Sequence, residues 1–121
     1  DVDHPGTDSF RHREAGAHEV ILATPARVAV MRELRSAPMP SLDALLAQLN
    51  PVDLVLIEGY KKAPHPKIEA YRAAANQPVL FRENATIKAL ATDTPLSTSL
   101  PQFDLDDSAA IADFIAAELG L

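Results

Sequence analysis

The sequence predicts an α/β domain with a mostly parallel sheet. The first observation is the uninterrupted apolar run LVLI at residues 54–57, because strands of parallel sheets are covered on both faces and lose the alternation of half-exposed strands. The second is the pair Glu58 and Gly59 directly after this run. The third is a helical leucine pattern at residues 42–49, just before it. A buried strand that ends in a carboxylate and a glycine is typical of α/β domains that handle phosphate or Mg²⁺.

Size and composition fit one globular domain over residues 1–121. The chain has 121 residues, of which 47% are hydrophobic, and it has no cysteine for disulfides, thiolate metal sites or thiol nucleophiles. The net charge is -6, and all the excess acid follows Lys88, so no basic stripe favours nucleic acid as a partner. No apolar run reaches the roughly 20 residues that span a bilayer. We expect a cytoplasmic protein without a membrane partner.

An acid-rich loop opens the chain and leads into a predicted helix. Thr7 or Asp8 caps this helix, which ends near Ala15 with Gly16 in the left-handed position after it. Carboxylate oxygens are the donors that hard cations prefer, so the loop supplies candidate metal ligands. The alternative is a solvated loop in which Asp8 is only a helix cap. The carboxylates of the loop are Asp1, Asp3 and Asp8.

A hairpin and a second helix are predicted next. The β-rich runs 19–24 and 27–33 are split by Pro25 and lie too close together for a crossover, which favours antiparallel pairing. Ser41 caps a helix that Pro51 ends. The apolar positions of that helix are Leu42, Leu45, Leu46 and Leu49.

The remaining predicted elements are strands at residues 53–57, 67–72 and 87–92 and a final helix. Residues 53–57 predict a fully buried strand, whereas the alternating residues 67–72 predict a more peripheral one. Asp106 or Asp107 caps the final helix, and Gly120 follows its end.

Candidate binding residues follow the predicted strands. In open α/β sheets, ligands bind beyond the carboxyl ends of parallel strands. There a carboxylate can hold Mg²⁺ through water or orient an attacking water, a glycine allows a close turn, and a lysine can contact phosphate. The alternative is a solvated strand end with an ordinary turn. The residues concerned are Glu58, Gly59, Lys61 and Asp93.

Other catalytic motifs are absent from these residues. The four histidines lie in different elements without HxxxH or HExxH spacing, which argues against a zinc site. No GxSxG nucleophile elbow occurs, so a hydrolase with Glu58 as its base is disfavoured. The phosphate loop GxxxxGK[ST] is also missing. The glycines are Gly6, Gly16, Gly59 and Gly120.

Two motifs carry a resemblance to a known family. One is D-x-D-x-P-G-x-D-S followed by A-G-A at residues 1–17, and the other is a strand that ends in E-G-[FY]-K at residues 53–61. In this order they resemble the molybdopterin-guanine dinucleotide biosynthesis protein B family. The other matching segments are residues 20–24, 27–31, 66–72 and 89–96.

The resemblance implies a P-loop-NTPase-like, three-layer fold with GTP and Mg²⁺ as cofactors. It also implies a homodimeric adapter with slow or negligible GTPase activity. Such an adapter assists a molybdenum cofactor guanylyltransferase in attaching GMP to molybdopterin. By this analogy, Asp1, Asp3 and Glu58 are the metal-binding residues, and Glu58 also has the catalytic role. The residues expected to contact the nucleotide are Asp8, Arg13, Gly59, Lys61 and Asp93.

The sequence departs from the family in one large respect. The first strand, the phosphate loop and the first helix are expected before Asp1, so residues 1–121 resemble the C-terminal part of the fold. Thr7 stands where the family often has lysine, which removes one possible phosphate contact. Two interpretations stay open at this point: a GTP-binding adapter truncated at its N-terminus, and a nucleotide-independent module for dimerisation or docking.

Overall fold

The computed structural model describes residues 3–121, which form two compact units, residues 3–51 and 52–121. The first unit contains helix α1 (Asp8–Glu14), strands β1 (Glu19–Ala23) and β2 (Val28–Arg32), and helix α2 (Leu42–Leu46). The second contains strands β3 (Lys67–Tyr71), β4 (Ile87–Thr92) and β5 (Gln102–Asp104) and helix α3 (Ser108–Leu119). None of the helices within residues 3–121 has the length and apolarity needed to cross a membrane.

Local capping fixes the first helix as the sequence predicts. The side chain of Thr7 accepts a hydrogen bond from the backbone N–H of Phe10 and satisfies one of the free donors at the start of α1. Ala15 caps the other end, and Gly16 follows with a φ of +105°. A side chain at Gly16 would be strained at this φ, so glycine ends the helix for a conformational reason.

The predicted hairpin is confirmed. Strands β1 and β2 pair antiparallel, with Ile21 opposite Val30 and Glu19 opposite Arg32. The turn between them is closed by the Thr24 hydroxyl, which accepts hydrogen bonds from the backbone N–H groups of the two residues that precede β2. Ile21 and Val30 are 64% and 53% exposed, so one face of this two-stranded ribbon is apolar and open.

Helix α2 begins where predicted and ends early. Ser41 accepts a hydrogen bond of 3.1 Å from the N–H of Ala44, as its N-cap prediction requires. The helix ends at Leu46, and the N–H groups of Gln48 and Leu49 bond to the carbonyls three residues back, which tightens the chain into a 3₁₀ turn. Leu49, predicted to share the apolar face, is 53% exposed.

The second unit is built on a parallel sheet of order β3-β4-β5. The central strand β4 is buried at five of its six positions, and Leu90 is completely buried. Strand β3 is at the edge of the sheet, as its alternating pattern predicted. Strand β5, with three residues, was too short for periodicity to reveal. The predicted α/β class with a parallel sheet is confirmed.

Helix α3 matches its predicted limits. Asp107 accepts a hydrogen bond from the N–H of Ala110, and Gly120 ends the helix with a φ of +69°. Phe114 of this helix packs against Phe103 of β5, with ring centroids 5.4 Å apart and ring planes tilted by 53°. Aromatic pairs at this distance add to the burial of both rings, so this contact packs α3 on the sheet.

The predicted buried strand at residues 53–57 is wrong. These residues belong to neither of the two sheets in the described part of the chain. Leu54, Val55 and Leu56 are 39%, 40% and 74% exposed. An apolar run shows that burial would be favourable, but a strand also requires a neighbour that shares its hydrogen bonds. No described strand pairs with this segment.

We predict that Leu90→Ala lowers the free energy of unfolding by about 2–5 kcal/mol, because it leaves a cavity in the centre of the sheet. Leu56→Ala is the matched control, and we expect it to change stability by less than about 0.5 kcal/mol because Leu56 is exposed. Denaturant unfolding of both variants measures the difference. A loss at Leu56 as large as at Leu90 would show that residues 53–57 are buried after all.

Candidate functional site

The carboxylate of Asp3 is engaged through both oxygens. Its Oδ2 accepts a hydrogen bond of 2.7 Å from Nε of Arg13, and its Oδ1 accepts one of 3.1 Å from Oγ of Ser9. Ser9 is buried, at 6% exposure. The two donors are four residues apart on α1 and therefore lie on one side of the helix. The acid-rich loop is thus folded back onto the first helix.

Arg13 connects three elements of the first unit. Besides Asp3, its Nε lies 3.3 Å from Oε1 of Glu33, just after β2. Its guanidinium lies over the ring of Phe10, 4.9 Å from the centroid. Asp3 and Arg13, predicted to bind a metal ion and the nucleotide, therefore neutralise each other here. A metal ion or a phosphate would have to compete with this ion pair.

Asp8 lies in the first turn of α1 and lines an open cleft of about 410 Å³ in the first unit. Arg27, in the hairpin turn, lines the same cleft and brings the opposite charge. The cleft is polar at the helix start and apolar along the hairpin. Its lining residues are Thr7, Asp8, Ser9, Leu22, Thr24, Arg27 and Ala29.

Two of the three predicted metal-binding residues, Asp3 and Glu58, lie in the described part of the chain. Within residues 3–121, no three His, Asp or Glu side chains are grouped so that they could hold a metal ion. Asp1 lies outside the described residues. Asp3 and Glu58 belong to different compact units. The metal assignment for Asp1, Asp3 and Glu58 therefore stays a prediction.

The turn predicted at Gly59 is present. Gly59 has a φ of +78°, and Tyr60 follows with a φ of +48°. The turn is closed by a 3.0 Å hydrogen bond from the N–H of Ala63 to the carbonyl of Tyr60. Glu58 is exposed, and its carboxylate has no hydrogen-bond partner within residues 3–121. This turn presents a free carboxylate to solvent.

Lys61 and Asp93 lie at opposite ends of the parallel sheet. The carbonyl of Lys61 accepts a 3.1 Å hydrogen bond from Asn84, which precedes β4, whereas Asp93 directly follows β4. A strand of six residues separates these ends by roughly 20 Å. The expectation that both residues line one crevice at the carboxyl ends is therefore not met for Lys61. The reason is that residues 53–57 do not align with β4 as a parallel strand.

Asp93 has a local structural partner. Its Oδ1 accepts a 3.0 Å hydrogen bond from the N–H of Ala73, the first residue of a 3₁₀ helix (Ala73–Ala75), and one of 3.3 Å from Oγ1 of Thr94. Its own N–H bonds to the carbonyl of Tyr71 at 3.4 Å. Asp93 thus joins the carboxyl ends of β3 and β4. Its predicted role near a base stays a prediction.

Sequence reasoning missed the polar residues that hold the loops of the second unit. The carboxylate of Glu69 accepts hydrogen bonds from the N–H groups of Leu80 and Phe81, at 2.6 and 2.9 Å. Lys67 and Asn84 bond to the backbone of the loop before β3. The one signal in the sequence was that charged residues interrupt the β-rich run 67–72, a pattern that alternation explains equally well.

Comparison with known proteins gives a family match. The family model described as MobB, molybdopterin guanine dinucleotide synthesis protein B, matches residues 1–93. The chain belongs to the MobB family. This confirms the resemblance carried by the two sequence motifs.

Curated relatives and a solved structure agree with this membership. The chain is 42% identical over 117 residues to the molybdopterin-guanine dinucleotide biosynthesis adapter protein of Haemophilus influenzae, and 34% identical over 118 residues to that of Escherichia coli. These alignments cover 94% and 95% of the chain but 64% and 67% of the relatives, so it spans about two thirds of their length. The crystal structure of molybdopterin-guanine biosynthesis protein B matches with a TM-score of 0.72 and 26% identity, over 94% of this chain and 75% of that one.

The structural match supports the P-loop-NTPase-like fold class, but the residues of this MobB family member do not by themselves fit GTP with Mg²⁺. The 121 residues contain no GxxxxGK[ST] loop, whose backbone N–H groups would surround the phosphates. Asp3 and Arg13 are paired with each other. No step of a nucleotide reaction is therefore derived from the described residues.

We predict that Asp3→Asn lowers the free energy of unfolding by about 1 kcal/mol, because it weakens a charge-assisted hydrogen bond that is only partly exposed. Glu19→Gln is the matched control, since Glu19 pairs with Arg32 at the surface, where such pairs contribute between zero and about 1 kcal/mol, so we expect the smaller loss there. Denaturant unfolding without divalent cations measures both effects. Unchanged or higher stability for Asp3→Asn would contradict the structural role and favour a ligand role.

Proposed function

We propose that this chain is part of a GTP-binding adapter that assists a guanylyltransferase in attaching GMP to molybdopterin. The observation that carries the proposal is membership of the MobB family, whose curated relatives are named adapter proteins of molybdopterin-guanine dinucleotide biosynthesis. Glu58, the carboxylate that this proposal assigns to Mg²⁺, is exposed and directly precedes the turn at Gly59 and Tyr60.

GTP and Mg²⁺ are the proposed cofactors of a protein that joins these residues to a GxxxxGK[ST] loop. In that setting, Glu58 would hold Mg²⁺ through water, and Gly59 would allow the turn beside it. Asp8 and Lys61 are the further candidates for nucleotide contacts, because both are exposed. Without such a loop, the 121 residues offer few phosphate contacts, so we expect this segment alone to bind GTP weakly or not at all.

A second candidate function is a nucleotide-independent module for dimerisation or docking. The observation that favours it is the exposed apolar surface of both units. In the first unit the open face of the hairpin carries Ile21, Val28 and Val30, and in the second the segment 54–56 is exposed. Contiguous exposed apolar surface often marks a site of interaction with another protein. A homodimer is compatible with both candidate functions.

We predict that Glu58→Gln weakens Mg²⁺-dependent GTP binding by about tenfold, which corresponds to about 1.4 kcal/mol. Glutamine keeps the shape of the side chain and removes the charge that attracts the cation. Stability should change by less than about 0.5 kcal/mol, because Glu58 is exposed and unpartnered. The measurements are GTP titration and stimulation of guanylyl transfer to molybdopterin, made on a protein that carries these residues together with the phosphate loop.

The control for this experiment is Glu83→Gln, which removes another exposed carboxylate of the same unit. We expect this control to bind GTP like the unmodified protein. Equal binding and equal stimulation for both variants would exclude Glu58 from the site. If the unmodified protein stimulates guanylyl transfer without binding GTP, the nucleotide-independent function is the correct one.

We predict that the protein self-associates through the open face of the hairpin. Val30→Lys should shift a dimer to monomer, because it places a charge in the centre of the apolar face. Leu119→Lys is the control, since Leu119 is similarly exposed, at 49%, but lies on α3. Sedimentation velocity at tens of micromolar distinguishes the states. A monomeric unmodified protein would contradict the prediction.

A further inference from the structure

The loop that follows the Glu58 turn is held by side chains from the amino end of the parallel sheet. Lys67, the first residue of β3, directs its ammonium at this loop, where it donates to the carbonyls of Ala63 and, at 2.9 Å, of His65. Asn84 donates to the carbonyl of Lys61 at 3.1 Å. Three carbonyls within five residues are thus bound by two side chains.

Thr86 joins these two side chains into one network. Its hydroxyl accepts a 2.9 Å hydrogen bond from Lys67 and donates a 2.6 Å hydrogen bond to Oδ1 of Asn84. The N–H of Thr86 bonds to the same oxygen at 3.1 Å. The backbone N–H of Lys67 bonds to the carbonyl of Thr86 at 2.8 Å. We call Lys67, Asn84 and Thr86 the polar clamp.

All three N–H donors of the Lys67 ammonium have an acceptor. A lysine has three donors, and the three of Lys67 go to Ala63, His65 and Thr86. Lys67 is partly buried, so a missing partner would leave a costly unsatisfied donor. The pairing of β3 with β4 shifts register between Lys67 and Ile68. Such irregularities redirect side chains, which here allows the first side chain of an edge strand to reach the loop.

The loop requires such support because its backbone is strained. Tyr60 has a φ of +48°, a conformation that costs a residue with a side chain roughly 1–2 kcal/mol. Residues in such conformations persist only where the surroundings determine them. The turn has a single backbone hydrogen bond of its own, from Ala63 to Tyr60, within the described residues. The polar clamp supplies the remaining constraints.

We propose that the polar clamp presets the Glu58–Lys61 turn for its ligand, and that Lys67 and Asn84 are positioning residues. The proposal rests on the adapter function proposed above, because that function assigns the turn a ligand. Neither residue needs to touch the ligand. The clamp holds the carbonyls of residues 61, 63 and 65, so the loop is already ordered before the ligand binds. Binding then carries a smaller entropic cost, and the affinity for the ligand is higher.

Asn84→Asp separates this role from general stability. Aspartate keeps the oxygen that accepts from Thr86 but loses the N–H that donates to Lys61, and its charge lies near the ammonium of Lys67. We therefore expect an unchanged melting temperature together with a freed loop. Lys67→Met removes the ammonium, keeps the length of the side chain and should free the loop at some cost in stability. Lys88→Met is the control, because Lys88 is exposed on β4 and, within residues 3–121, its ammonium bonds to the nearby carbonyl of Ala85, outside the loop.

Trypsin provides the local measurement, since Lys61 and Lys62 are exposed cleavage sites within the loop. With the folded protein, we expect the rate of cleavage after these lysines to rise about tenfold in Asn84→Asp and more in Lys67→Met. The reason is that a loop without its hydrogen bonds opens locally more often. Lys88→Met should be cleaved like the unmodified protein. Unchanged cleavage in both clamp variants would overturn the clamp itself.

The functional measurement is made on the protein that carries these residues together with the phosphate loop. It gives the protein concentration for half-maximal stimulation of guanylyl transfer to molybdopterin. We expect Asn84→Asp to raise it about fivefold at an unchanged melting temperature, because a flexible loop must be ordered on binding. A freed loop with normal stimulation would overturn the positioning role. If the unmodified protein gives no stimulation, the proposed function fails and the positioning role fails with it, whereas the cleavage rates still decide whether the clamp exists.

Discussion

The burial of β4 is the constraint on which the second unit depends. This strand is the only one that pairs on both sides in the described sheet, and its apolar residues exclude water at nearly every position. The polar residues that hold the loops of this unit lie near the two ends of β4. The clamp residues Asn84 and Thr86 precede β4, and Asp93 follows it. Because the buried strand is rigid, short side chains next to its ends can hold the adjoining loops in place.

The first unit is organised by an ion pair instead of a large core. Asp3 and Arg13 bind the opening loop to α1, and Glu33 extends the contact to the end of the hairpin. Few side chains of this unit are buried, so these hydrogen bonds carry a large part of its order. The same pairing gives Asp3 of the D-x-D motif a structural role in the fold. Residues that resemble cofactor ligands in the sequence already serve as each other's partners in the fold.

Several charged side chains of the second unit satisfy backbone groups. Lys67 binds carbonyls, Glu69 binds N–H groups, and Asp93 binds the start of a 3₁₀ helix. Glu58 is one of several exposed carboxylates, and it directly precedes the strained turn at Gly59 and Tyr60. Backbone strain of this kind often occurs at ligand-binding positions. The position of Glu58 beside this turn is the physical basis for centring the proposed function there.

The sequence alone determined the elements that depend on local chemistry. Thr7, Ser41 and Asp107 each cap a helix through a hydrogen bond within a few residues, and Gly16 and Gly120 follow helix ends, so spacing predicted the helix starts to within one residue. The two motifs likewise identified the MobB family, because motif order is a property of the chain.

Only the tertiary structure decided which segments pair and which candidate residues meet. Residues 53–57 contain the apolar run LVLI, yet they lie outside both described sheets, because pairing depends on a neighbour and not on the segment itself. The pairing of Asp3 with Arg13 and the bond of Asn84 to Lys61, which places Lys61 away from Asp93, depend on contacts between residues at least ten positions apart. Residue type reveals what a side chain can bind, and the fold decides which partner it finds.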